Sequence, residues 1–304
     1  MKQRLHSGGM IGGMILFWSI FYAVSKYMVA EAGSPYLAGG LLRAAAWVFL
    51  TAQLLIERKF SNLFRQGKRI WILLLIGCIG FLGDLFANLG YAHGSLGAGT
   101  ALLKTDVLMA NLVTVFLYRK RLTVWDWAGT FVMLFGVLLV LNIEFDASSF
   151  RWTDLFFLLS AGSLAANAFV IKHAQQHYGA DPDMISYINN FVVLVLFTLT
   201  SWISGDLHRI GPVVSQSPWQ IALGGFAQAG IYFFYYRNLQ RHEVYQVKLY
   251  LLLMPIVTAL IGVLFLGETM TLRTAIGIGI VLLGAGLLLW KSRAAANRAA
   301  EKAS

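Results

Sequence analysis

Apolar residues fall along the chain in ten long stretches separated by short polar gaps. Each stretch is about 20 residues long, the length that an α-helix needs to cross the hydrocarbon core of a bilayer. Such stretches are too long for barrel strands, and lipid accepts only helices or closed barrels. The pattern therefore predicts an all-α integral membrane protein whose ten transmembrane helices occupy residues 10–30, 36–56, 70–92, 97–118, 124–143, 153–173, 184–204, 218–237, 244–266 and 272–290.

The stretch from Ala101 to Leu141 occurs twice. Moved by 148 positions, it falls on residues 249–289, and four pairs coincide: Val115 and Val263, Thr123 and Thr271, Gly129 and Gly277, Gly136 and Gly284. An internal repeat of this size indicates two related halves. Each half holds five spans, an odd number, so the second half enters the membrane from the opposite side, as in the inverted repeats of secondary transporters. We predict one repeat at residues 1–145, a second, inverted repeat at 146–292 and a basic cytoplasmic tail at 293–304.

Lys and Arg residues in the gaps predict the orientation. Seventeen of the 24 Lys and Arg residues lie in gaps on the side that holds the N-terminus, and only Arg151, Arg209 and Arg273 lie in the opposite gaps. Cytoplasmic loops carry such an excess of basic residues. We therefore expect a multi-pass protein of the cytoplasmic (inner) membrane with both termini in the cytoplasm.

The composition excludes several classes of protein. The chain is 58% hydrophobic and 12% charged, whereas soluble domains carry about 25% charged residues. The net charge of +10 lies in the gaps and not along a basic and aromatic face, so no nucleic-acid partner is predicted. Cys78 is the single cysteine, so the sequence predicts neither an intrachain disulfide nor a cysteine metal cluster. Phosphate-loop and hydrolase motifs are missing from the sequence, so we predict no enzyme and no cofactor.

The second copy of the repeat carries Gly267-Glu268-Thr269-Met270-Thr271 between two apolar runs, with Pro255 in the first run. This pattern resembles the drug/metabolite transporter superfamily, EamA type, and the resemblance covers nearly the whole chain, once per half. It implies a ten-helix carrier, built from two inverted repeats, that moves amino acids, amines or other small metabolites, more commonly outward. The first copy departs from the pattern at Val107 and at Arg119-Lys120.

Five ionisable side chains lie inside predicted spans: Arg43, Asp84, Lys104, Asp106 and Lys248. Each costs about 2.5–3.5 kcal/mol at the centre of a membrane helix, so such residues mark functional sites by default. Lys104 and Lys248 are predicted to bind a substrate carboxylate. Asp106 lies about 200° around the helix from Lys104 at about 100° per residue, so the two are predicted to face different neighbours. Arg43, Asp84 and Asp106 are candidates for proton coupling or ion pairing. Asp84 is also a predicted substrate-binding residue, since it or Asp106 could bind the amine of a substrate.

Polar and aromatic side chains at helical spacing extend this candidate site. The further predicted substrate-binding residues are Asn88 and Asn111 near the charged positions, Trp18 and Tyr22 on the first span, Asn167 on the sixth, and Gln228 and Tyr232 on the eighth. Two other interpretations remain open for them. Asn and Gln in a span also join neighbouring helices, and Trp and Tyr also anchor the membrane interface.

The pattern favours a secondary active transporter that moves an amino acid or related zwitterion or amine by alternating access, and the family resemblance implies export as the commoner direction. The alternatives are a flippase for an amphipathic lipid or lipid-linked sugar, an uptake carrier, and a purely structural membrane partner. The expected partners are a small-molecule substrate, membrane lipid and protons, and the chain is expected to act as a monomer or homodimer.

Overall fold

A computed structural model of the chain describes residues 2–93, 102–119, 122–140, 154–254, 256–257, 271–273 and 275–284. The long elements in these ranges are all helices: α1 Lys2–Ala32, α2 Pro35–Ile56, α3 Ile70–His93, α4 Asp106–Phe116, α5 Val124–Val140, α6 Asp154–His177, α7 Pro182–Ile203, α8 Ile210–Gln216, α9 Pro218–Arg241, α10 Val244–Leu251 and α11 Ala275–Gly284. Short 3₁₀ turns occupy Phe60–Arg65, Gly67–Arg69 and Asp206–Arg209.

This all-helical, multi-span architecture confirms the predicted fold class. Helices α1, α2, α3, α6 and α7 are each long and apolar enough to cross a membrane, and α4, α5 and α11 are shorter apolar helices. Each predicted span overlaps a described helix, and the count of ten remains a prediction. The predicted span residues 97–101, 141–143, 258–266 and 285–290 and the tail at 293–304 lie outside the described residues. The seven-residue helix α8 was not predicted, because the gap that holds it is too short and polar to resemble a span.

Large apolar side chains cover the outside of the bundle. Ile56, Val124 and Trp219 are 82%, 83% and 82% exposed. A water-soluble surface does not carry such side chains in bulk. In this chain they form the surface that faces lipid, while polar residues such as Ser19, Asn190 and Lys248 lie in the interior.

Helices α2 and α7 begin with the same local chemistry. Ser34 accepts a hydrogen bond from the Leu37 amide at 3.3 Å, Asp181 accepts one from the Asp183 amide at 2.7 Å, and a proline follows each cap. A short polar acceptor satisfies a free helix N–H, and proline suits the first turn because it lacks one. The second helices of the two predicted halves thus start in the same way.

Residues with a left-handed backbone conformation also recur in the turns that follow corresponding helices. Gly33 and Gly179, with φ of 59° and 57°, follow α1 and α6. After α7 the left-handed residue is Gly205 with φ of 77°, but after α2 it is Arg58 with φ of 55°. Arginine is strained in this region because its Cβ crowds the following carbonyl.

The two predicted halves pack against each other by reciprocal pairs of helices. Helix α1 packs along α9 and α6 packs along α3, while α2 and α7 pack on each other. Exchanging the halves turns the first pair into the second and leaves the third unchanged. Such exchange is the property of an interface with a two-fold relation.

Helices α5 and α11 show the same relation at the level of single residues. A Cβ placed on Gly136 would lie 2.9 Å from the Gly277 carbonyl oxygen, and one on Gly284 would lie 3.4 Å from the Gly129 oxygen. Residue 136 therefore meets 277 while 129 meets 284, so the two helices run antiparallel. Glycine is required here because the backbones approach too closely for a side chain.

Two polar clusters hold the ends of the bundle. At the end that we call the basic end, Asp183 accepts from Lys59 and Arg237, each at 2.6 Å. Hydrogen bonds to the Asp183 and Glu57 carboxylates raise the pKa of Lys59 above its ordinary value. At the opposite end Asp206 accepts from Ser34 at 2.6 Å.

Candidate functional site

A polar and aromatic cavity lies in the middle of the bundle between α1, α2, α3, α6, α7 and α9. Eight aromatic side chains line it: Trp18, Phe21, Tyr22, Tyr91, Phe197, Tyr232, Tyr235 and Tyr236. Helices from both predicted halves form the walls, so the cavity lies between those halves, which is where inverted-repeat transporters bind their substrates.

An ion pair between α2 and α3 forms one wall of the cavity. Arg43 donates to the Asp84 carboxylate and to the Tyr232 hydroxyl, and its guanidinium lies 5.5 Å from the Tyr232 ring centroid. The Arg43 side chain is 5% exposed, whereas that of Asp84 is 23% exposed. The carboxylate is therefore the member of the pair that a ligand can contact.

Amide side chains from α6 and α7 converge on α3 at Gly80. A Cβ on Gly80 would lie 2.8 Å from Asn189 Oδ1 and 3.3 Å from Asn167 Nδ2. Both asparagines line the cavity, and Asn189 donates to the Tyr236 hydroxyl. The missing side chain of Gly80 thus leaves the space that the Asn189 amide occupies.

A second charged cluster lies behind the aromatic wall, between α4 and α10. Lys248, which is 1% exposed, donates to Asp106 Oδ2 at 2.7 Å. Lys104 Nζ lies 3.7 Å from the Met254 sulfur. It has no ion-pair partner among the residues that the structure describes.

Tyr22 and Tyr235 separate this cluster from the cavity. Lys104 Nζ lies 5.5 Å from the centroid of the Tyr22 ring, and Lys248 Nζ lies 5.8 Å from that of Tyr235. Both rings pack edge-on against Trp18. A cation over an aromatic face gains about 2 kcal/mol when water is excluded, so the two rings are contacts for the lysines as well as walls for the cavity.

The structure brings most of the predicted site residues together. Eight of them line the cavity: Trp18, Tyr22, Arg43, Asp84, Asn88, Asn167, Gln228 and Tyr232. Lys104, Asp106 and Lys248 lie one side chain behind it and not on its surface. Asn111 is elsewhere, since it is fully buried and donates to Thr130 Oγ1 at 3.1 Å between α4 and α5.

The prediction that Lys104 and Asp106 face different neighbours assumed a continuous helix, and that assumption is wrong. Lys104 and Thr105 form a turn, closed by a hydrogen bond from the Thr105 amide to the Leu102 carbonyl at 3.1 Å, and α4 begins at Asp106. Helical angles do not apply across this turn. In the structure Lys104 Nζ lies by the Met254 sulfur, while Asp106 pairs with Lys248.

Comparison with known proteins decides the family of the chain. The model of the EamA-like transporter family matches residues 9–142 and again 151–290. The chain belongs to the EamA-like transporter family. It is a multi-pass membrane protein.

Two further proteins resemble this EamA-like chain along its length. A protein of Archaeoglobus fulgidus described as an uncharacterized transporter is 23% identical over 284 residues, which is 91% of this chain and 96% of that protein. A solved structure titled only as a crystal structure of protein superimposes with a TM-score of 0.72 at 15% identity, over 95% of this chain and 99% of that one. The second likeness shows the fold alone.

Some residues of the EamA-like cavity were missed from sequence. Asn189 and Tyr236 line it and are 3% and 2% exposed. The Asn189-Asn190 doublet inside an apolar span was the available signal, because an amide in lipid needs partners. Asn190 does not line the cavity and donates to the Arg43 carbonyl at 3.0 Å. Within the described residues, no group of three or more His, Cys, Asp or Glu side chains could hold a metal ion.

Proposed function

We propose that this chain is a secondary active transporter that moves an amino acid, or a related zwitterion or amine, across the cytoplasmic membrane. Two inverted five-helix repeats, residues 1–145 and 146–292, would rock about the central cavity and expose it to each side in turn. Both termini and the tail at 293–304 lie in the cytoplasm, and export is the favoured direction. The protein works as a monomer or homodimer.

The observation that carries this proposal is the cavity between the two halves. It combines aromatic walls with an ion pair, and Asp84 offers a partly exposed carboxylate. Buried charges are expensive in a membrane protein and are retained where they act on a substrate or ion. The reciprocal packing of α1 on α9 and of α6 on α3 supports motion of one half against the other.

Lys104 is the proposed partner of the substrate carboxylate. Lys248 is neutralised by Asp106 at 2.7 Å, which leaves Lys104 as the unneutralised cation of the described cluster. A carboxylate that reaches Lys104 past Tyr22 would remove the excess positive charge. Asp106, through its pair with Lys248, and Asp84 are the groups available to carry a coupling proton.

Counterflow into proteoliposomes, with and without a pH gradient, tests this function. We expect radiolabelled amino acid to accumulate against an unlabelled internal pool, and Lys104→Met to lower the flux about tenfold or more, because a charged hydrogen bond is lost. Lys26→Met is the matched control, since Lys26 is an exposed lysine of α1. A folded Lys104→Met protein with wild-type flux would remove the lysine from the site, and absence of counterflow for every amino acid and amine would remove the function.

The second candidate, a lipid flippase, is favoured by a groove on the outside of the bundle. Phe17, Phe49, Phe226 and Phe233 line this groove between α1, α2 and α9. Its wall is apolar apart from Gln53 and Glu57 at one end, so it suits an acyl chain and offers no path for a sugar head group. The central cavity therefore supports the metabolite carrier better, whether it exports or takes up its substrate.

A further inference from the structure

Helices α2 and α7 correspond residue by residue. Each has 22 residues, and one shift along the sequence places the first helix on the second. The same shift places the left-handed Arg58 on the left-handed Gly205, and so it places Lys59 on Asp206. The two helices belong to different predicted halves and pack on each other. Lys59 and Asp206 are therefore equivalent residues at opposite ends of one interface.

Lys59 reaches across this interface to the start of α7. Its ammonium lies 2.6 Å from Oδ2 of Asp183, the second residue of α7. Gln53 of α2 donates to the same carboxylate at 3.2 Å. The Asp183 side chain is buried, while that of Lys59 is partly exposed. At the basic end, the two predicted halves are thus joined by an ion pair.

Asp206 reaches across to the start of α2 in the corresponding way. It accepts a hydrogen bond from the hydroxyl of Ser34, the N-cap of α2, at 2.6 Å. Arg209 lies 3.4 Å from the Ala32 and Gly33 carbonyl oxygens, longer than an ordinary N–H···O bond. A hydroxyl takes the place of the Lys59 ammonium here, so the bond to Asp206 lacks the attraction between opposite charges.

On helices α2 and α3 the cavity lies nearer to the end that Asp206 holds. The lining residues of α2 are Gly39, Leu42 and Arg43, close to its start. Those of α3 lie between Gly80 and Tyr91, while the first ten residues of α3, which begin at the basic end, do not line the cavity. More protein therefore separates the cavity from the basic end on this side of the bundle.

We propose that the Lys59–Asp183 and Ser34–Asp206 contacts are the two latches of the transport cycle, each released when its own end opens. The latches rest on the proposed transport function and add the residues that bias its two states. Rocking of one half against the other separates α2 from α7 at one end at a time. A contact present only in one state favours that state by its own free energy. Because the basic end has the stronger latch, the carrier favours the state that is open at the opposite end.

A single cysteine in the cavity measures which end is open. Ser25 lines the cavity, so Ser25→Cys in a Cys78→Ala background places one thiol there. A membrane-impermeant maleimide is applied to intact cells, which present the outer face, and to inside-out vesicles, which present the cytoplasmic face. On the predicted orientation the basic end faces the cytoplasm. We therefore expect the protein with both latches to be labelled faster in intact cells.

Variants at the two ends should change the ratio of cytoplasmic to outer labelling in opposite directions. Lys59→Met and Asp183→Asn should raise this ratio about fivefold or more, the upper range for a partly exposed ion pair. Asp206→Ala should lower it, and Lys59→Arg should preserve it because the charge is kept. Arg237→Met is the matched control. It also removes a cation from Asp183, but both residues belong to the same predicted half, so the ratio should stay unchanged.

Three results overturn the latches while the carrier stands. They are an unchanged ratio in Lys59→Met and Asp183→Asn, an equal change in Arg237→Met and Lys59→Met, and faster cytoplasmic labelling of the protein with both latches. If Asp183→Asn does not fold, the comparison of Lys59→Met with Arg237→Met decides. If the thiol reacts from one face only in every variant and no amino acid or amine shows counterflow, alternating access is wrong and the proposed function falls with the latches.

Discussion

Loss of either partner of the buried Lys248–Asp106 pair should destabilise the protein. The size of each loss depends on a third residue, Lys104. The two side chains are 1% and 8% exposed and lie 2.7 Å apart. Removal of one partner from a buried pair costs about 3–5 kcal/mol, because the other charge is left uncompensated. Because of Lys104, the cost of removing Lys248 differs from the cost of removing Asp106.

The charges of the cluster set the order of the effects. In Lys248→Met, Lys104 and Asp106 remain and sum to zero, so Asp106 can turn towards Lys104. In Asp106→Leu, two lysines remain without a carboxylate, and the cluster carries two positive charges. We therefore expect Lys248→Met to destabilise the protein by about 3 kcal/mol or less. Asp106→Leu should destabilise it by about 5 kcal/mol.

A double-mutant cycle measures the difference. Unfolding of the four proteins in mixed micelles gives the free energies, and the double variant should be less destabilised than the sum of the single variants, since no Lys248 or Asp106 charge is then left alone. If Asp106→Leu costs no more than Lys248→Met, Lys104 does not share the carboxylate. If the single effects add, the pair contributes nothing as a pair.

Three further predictions concern packing and the ends of the bundle. Gly136→Ala should destabilise the protein by about 1–3 kcal/mol, because overpacking at a close helix crossing forces the backbones apart. Gly12→Ala is the control and should be neutral in the same thermal assay, because a Cβ there meets nothing within 4 Å. Equal melting temperatures for the two variants would refute the close crossing. Lys172→Met should cost about 1.5–3 kcal/mol, because Lys172 donates to the Leu239 and His242 carbonyls at 2.7 and 2.9 Å; unchanged stability in urea would contradict this role. Hydrogen bonds from Ser204 and Ser34 lower the pKa of Asp206, so the unfolded chain binds more protons and stability rises with pH. The wild type should exceed Asp206→Asn in free energy of unfolding by the full amount at neutral pH, and this difference should vanish as acid protonates the folded carboxyl. A difference that stays constant across a pH series would refute this role.

The fold was largely predictable because lipid restricts the choice of structure. An apolar run of 20 residues has one stable conformation in a bilayer, so the positions of α1, α2 and α7 follow from composition alone. Helix caps added precision, since Ser34-Pro35 and Asp181-Pro182 mark starts by local chemistry. Helix α4 was harder: the turn at Lys104-Thr105 interrupts an apolar run, and hydropathy does not distinguish a turn from a helix there.

The sequence predicted most of the residues that form the site, but it did not predict which of them contact each other. Charge in a span identified Arg43, Asp84 and Lys248 as special, because burial makes such residues costly wherever they lie. Which charges pair depends on contacts between distant helices, and one sequence carries no record of them. For the same reason Asn111 was assigned to the cavity, although it donates to Thr130 on the neighbouring helix.

Arg58 has a consequence for how the chain reaches the membrane. A left-handed arginine costs about 1–2 kcal/mol, and the corresponding turn after α7 uses Gly205 and avoids that cost. On the proposed orientation, Arg58 faces the cytoplasm, where basic residues near a span prevent its loop from being translocated. On that orientation, the strain at Arg58 in the folded protein would be offset by a benefit during membrane insertion. Arg58→Gly should give a more stable protein, inserted with a larger fraction of molecules in the wrong topology.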